Sequence, residues 1–92
     1  MPPLDLNQRF GVNVRFARQE AGLLQRELAE RSSLQRSYIG DIERGNRNVT
    51  LQTVEKIAAA LGVDPLVLLQ DYQRKPLPVD DGGFADLIDQ DN

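Results

Sequence analysis

Residues 25–45, QRELAERSSLQRSYIGDIERG, constrain the fold more than any other part of the chain. They read as two short helices joined by a tight turn. Leu28, Ala29, Leu34, Ile39 and Ile42 recur at spacings that pin both helices to one core. Gln35, Arg36, Ser37 and Gly40 or Asp41 are left facing outward. A helix held from behind, with small hydrogen-bonding groups in front, fits the major groove of a duplex and can reach base edges there.

The rest of the chain supplies the support. Phe10, Val14, Ala17 and Ala21 form one stripe of a first helix over 7–21, closed by Gly22. Helix two is expected over 25–31 and helix three over 35–44, stopped by Gly45-Asn46. Thr50 is placed to cap a fourth helix running to Leu61, with Leu51, Val54, Ile57, Ala58 and Leu61 as its buried stripe. Asp64-Pro65 pairs a cap residue with a proline at the first helical position and starts a fifth helix, 66–69 and on towards Tyr72. The expected architecture is all-α, with five helices. Phe16 falls on the outward side of helix one, where the arm around Leu4 and Leu6 is expected to cover it.

Composition narrows the chemistry. With neither Cys nor His, the chain has no thiolate nucleophile, no thiolate metal site and no imidazole base. No glycine-rich phosphate loop or nucleophile–base pair is visible, so the expectation is a non-enzyme with no metal and no cofactor. No apolar run approaches the ~18 residues of a membrane span and no signal peptide opens the chain, so a cytoplasmic protein without a membrane partner is expected.

The net charge of −3 is unevenly spread. Residues 1–75 hold all eleven Lys and Arg against nine acids, a net +2, whereas 76–92 carry five Asp and no base. A domain over 1–75 can therefore meet phosphates through a local cluster of arginines. The tail 76–92 reads as an acidic flexible extension. It is open to three roles: solubilising, competing with nucleic acid for the arginines, or docking a protein partner through Phe84, Leu87 and Ile88.

With these residues in place, the chain resembles the Xre family of helix-turn-helix proteins, the group of phage lambda-type repressors and Cro. The resemblance covers about residues 10–69. It rests on Phe10-Gly11, Val14-Arg15, Ala17-Arg18, Gly22-Leu23, Gln25, Leu28-Ala29, Tyr38-Ile39, Ile42-Glu43-Arg44-Gly45, Ile57-Ala58 and Ala60-Leu61-Gly62-Val63. Within the family, Gln35 to Ile39 followed by Asp41 to Asn48 look most like restriction–modification controller proteins.

This resemblance implies a five-helix lambda-repressor-like DNA-binding domain whose helix-turn-helix is formed by helices two and three. It implies that Gln35, Arg36 and Ser37 meet base edges. Gln25, Tyr38, Arg44, Asn46, Arg47 and Asn48 would hold backbone phosphates, with a base contact as a second reading for Arg47 from its controller-like relatives, and Arg18 and Glu43 would form a partly buried structural ion pair. Asp41 has two readings, as an acceptor for a cytosine amino group or as a partner for Arg44 three residues on. Two departures from the family pattern stand out. Leu24 occupies a position usually held by Ser or Thr, and Ser33 one usually held by Gly.

The run 66–69 is apolar all round, more than a terminal helix of a monomer needs. Leu66, Leu69 and Tyr72 are therefore candidates for a two-fold dimer contact, which would set two reading helices about 34 Å apart on a palindromic site. The leading expectation is a homodimeric, sequence-specific transcriptional regulator on double-stranded DNA. The alternative is an antitoxin-like interaction module whose tail binds a partner protein.

Overall fold

The computed structural model describes residues 4–71. Within them the chain forms four α-helices, α1 (Leu6–Glu20), α2 (Gln25–Ser32), α3 (Arg36–Glu43) and α4 (Leu51–Leu61), followed by a 3-10 helix (Pro65–Leu69). The described residues contain no strand. No helix among them is long and apolar enough to cross a membrane. Tyr72 and the tail 76–92 lie outside the described residues.

The helix ends show how local sequence sets the turns. Asp5 accepts the Gln8 backbone N–H at 2.8 Å while the Gln8 side chain accepts the Asp5 N–H at 3.0 Å, a reciprocal cap that starts α1. Thr50 Oγ1 accepts the Thr53 N–H and starts α4. Leu24 cannot cap α2 with its side chain; only Glu27 reaches back, accepting the Leu24 N–H at 2.8 Å. Each α-helix then closes the same way. A residue with left-handed backbone is followed by one whose N–H bonds back to the last turn: Leu23 to Arg18, Leu34 to Ala29, Asn46 to Asp41 and Val63 to Ala58. Three of those left-handed residues are glycines, but the one between α2 and α3 is Ser33, at φ 60°. A side chain in that conformation costs on the order of 1 kcal/mol.

The core is aliphatic apart from one ring: Phe10 and Val14 of α1, Leu28 and Ala29 of α2, Ile39 and Ile42 of α3, Val54, Ile57 and Ala58 of α4, and Leu68. α1 packs against α3 and the 3-10 helix, and α2 against α3 and α4. The α1–α3 contact is close enough that a Cβ on Gly11 would lie 2.2 Å from the Ile42 carbonyl oxygen. Only glycine lets the two backbones approach this far.

Three expectations require correction. The fifth helix is a 3-10 turn and ends at Leu69, because Gln70 is already extended. Five residues are too few to nucleate an α-helix alone, and α1 competes for the segment's carbonyls. Asn13, itself buried, donates to the carbonyls of Leu68 and Gln70 at 2.9 and 2.7 Å, and Arg9 reaches that of Leu69. Leu51 does not join the core stripe of α4; at the first helical position it points past the core edge and stays 82 % exposed. Phe16 is not covered by the N-terminal arm. It stays 48 % exposed and lines a recess with Val12, Arg15, Gln19 and Glu43, and Leu6 is itself exposed.

Candidate nucleic-acid interface

α3 is fastened from behind and open in front. Ile39 and Ile42 are buried, and Glu43 turns inward onto Arg18. The Arg18 guanidinium meets that carboxylate with two nitrogens, Nε at 2.6 Å and Nη2 at 3.1 Å, and its Nη1 donates to the Leu23 carbonyl. Gln25 Nε2 donates to the same carboxylate at 3.0 Å. The Glu43 charge is thus met by three donors from α1 and α2, which locks the two helices of the turn at a fixed angle.

On the open face, Gln35 is the N-cap residue of α3 and makes no side-chain capping bond. Gln35, Arg36 and Ser37 are all exposed, side by side at the N-terminal end of the helix. Their side chains make no hydrogen bond or ion pair with other described residues, which leaves the full donor and acceptor set of each available. Tyr38 is half-buried beside them, with the Arg47 guanidinium carbon 5.0 Å above its ring centroid.

The flanking residues differ in how they are held. Gln25 sits at the first position of α2, where its amide is aimed by Glu43 and its second amide hydrogen remains for another acceptor. Asn48 accepts from Asn7 Nδ2 at 2.7 Å, which occupies its carbonyl and turns its NH2 away from α1. Asn46 is exposed. Arg44 and Arg47 both pair with Asp41, Arg44 through Nη2 to Oδ1 and Arg47 through Nε to Oδ2 at 3.3 Å. A residue not anticipated from the sequence, Arg15, lines a polar recess with Gln25, Gly40 and Arg44. Its signal was available, since Arg15 lies one helical turn before Arg18 and so on the same side of α1.

Leu66 is 72 % exposed, and together with Leu51, Val54, Pro65 and Leu69 it lines a shallow apolar groove. Leu69 is partly packed on the core as well. Of the anticipated dimer residues, Leu66 and Leu69 come together here, whereas Tyr72 lies outside the described residues.

The family model HTH_3, helix-turn-helix, matches residues 14–68. The chain belongs to the Xre-type helix-turn-helix family. It is 51 % identical over 61 residues to the control protein C.BamHI of Bacillus amyloliquefaciens, a match covering 65 % of this chain and 75 % of that protein. The control protein C.SmaI of Serratia marcescens is 44 % identical over 66 residues, covering 72 % and 79 %. The crystal structure of the restriction-modification controller protein C.AhdI from Aeromonas hydrophila superposes with a TM-score of 0.66 at 45 % identity, covering 67 % of this chain and 94 % of that one. The helix-turn-helix of this family is formed here by α2 and α3, and the family is one of DNA-binding transcriptional regulators rather than of enzymes.

Proposed function

We propose that this protein is a sequence-specific transcriptional regulator that binds a palindromic operator as a homodimer, with α3 in the major groove. The observation that carries the proposal is the row Gln35, Arg36 and Ser37, exposed and without partners among the described residues, on a helix whose opposite side is fastened by Glu43. In this reading the Arg36 guanidinium forks onto a guanine edge, with Gln35 and Ser37 contacting neighbouring bases. Gln25, Tyr38, Arg44, Asn46, Arg47 and Asn48 grip phosphates on either side and set the register. The likeness to control proteins C.BamHI and C.SmaI supports a place as the controller of a restriction–modification system.

The homodimer is supported by the apolar groove of Leu51, Pro65, Leu66 and Leu69, which a monomer leaves wet.

Selection of bound fragments from random duplexes at fixed salt tests the reading. The expected outcome is a two-fold symmetric site with half-sites centred about 34 Å apart. No enrichment, or a single unpaired half-site, would overturn it.

A further inference from the structure

Asp41 is the one carboxylate on the open side of α3, and it holds two arginines, Arg44 at the C-terminal cap of the helix and Arg47 just beyond it. We infer that Asp41 is an internal competitor for DNA phosphates: it occupies Arg44 and Arg47 in the free protein and must give both up when the backbone docks. The inference rests on the DNA-binding reading above and deepens it, by assigning to Asp41 the control of how tightly any duplex is held.

The geometry carries this in three steps. A single carboxylate spans both guanidinium groups, one through each oxygen. All three side chains reach solvent, with 31 % of Asp41, 61 % of Arg44 and 52 % of Arg47 exposed, so an incoming anion can reach the same N–H groups. Among the described residues neither arginine has another side-chain hydrogen bond that would have to break; there Arg47 adds its stacking over Tyr38. The surrounding backbone does not depend on these pairs. The Asn46 N–H bonds to the Asp41 carbonyl, and Asn48 is tied to Asn7. A phosphate therefore exchanges with the carboxylate without remodelling the loop.

The exchange has an ionic consequence. Each guanidinium that moves to a phosphate releases a condensed cation from the DNA, but the exposed ion pairs to Asp41 that must break first are themselves weakened by salt, which opposes that trend. Asp41 thus lowers affinity and flattens the salt dependence together. The effect falls on every sequence alike, because the contacts concerned are to the backbone.

The test compares wild type and Asp41→Asn on a random-sequence duplex by fluorescence anisotropy across a salt series. The substitution is expected to tighten binding about three- to tenfold and to steepen the slope of log K against log salt by less than about one unit. In an Arg44→Ala/Arg47→Ala background the same substitution should recover only a fraction of that gain, since no guanidinium remains to be released. An Asp41→Asn protein that binds no tighter, or a gain of undiminished size without the two arginines, overturns the inference while leaving the regulator reading intact. A wild-type protein that binds no duplex at low salt overturns both.

Discussion

Glu43 and Asp41 lie two residues apart on α3, and each meets arginine, but in opposite settings. Glu43 points back into the molecule, where its side chain is 4 % exposed and that of Arg18 is 11 % exposed. Asp41 points forward onto two arginines that remain more than half exposed. A helix turns about 200° over two residues, so neighbouring carboxylates are delivered to opposite sides of one short element. Burial then decides the role. The inner pair has no solvent to fall back on and serves as a fixed strut. The outer cluster is within reach of water and of competing anions, so its partners are exchangeable.

The largest effect expected from this contrast is on the inner side. Arg18→Ala would leave the Glu43 charge buried with only Gln25 for company, and should cost about 3–5 kcal/mol of stability in urea unfolding. A loss below about 1 kcal/mol would place the pair in the class of surface ion pairs and dissolve the distinction. Next comes Arg36, a third charged residue on the same helix and the one without a carboxylate partner among the described residues. Arg36→Ala should leave the unfolding curve unchanged and remove about 1–3 kcal/mol of discrimination at one operator position, measured by binding to single-base variants. Unchanged preference would take Arg36 out of the readout. The smallest effect is on the outer side. Asp41→Asn should shift stability by no more than about 0.5 kcal/mol, so that its influence is seen in binding alone; a larger loss would make Asp41 a scaffold residue like Glu43.

What could be read from the sequence follows the range of the interactions. Thr50 and Asp64 are legible as caps because a cap bonds two or three residues away, and both accept such bonds. The three glycine-closed helices are legible for the same reason. Asn13 is not, because its partners Leu68 and Gln70 lie 55 and 57 residues along the chain; in isolation it reads as a polar residue in mid-helix. Leu51 misleads because periodicity gives its side of the helix but not how far the core extends along the axis. The fifth helix misleads because its backbone is decided by α1. At the candidate interface, helical spacing identified Gln35, Arg36 and Ser37 as facing outward, and Asp41–Arg44 was one of two readings offered. That Arg47 joins the same carboxylate was hidden, since Arg47 lies beyond α3 and its position depends on how the chain turns at Gly45.

Asn13 also has a consequence for operator choice. By clamping Leu68 and Gln70 to α1, its amide ties the segment that lines the apolar groove through Leu66 and Leu69 to the helix packed against α3. In a dimer joined through that groove, the distance between reading heads behaves as a rigid ruler instead of a hinge. Operators with one base pair inserted between the halves should be rejected by the frame itself, whatever the bases say.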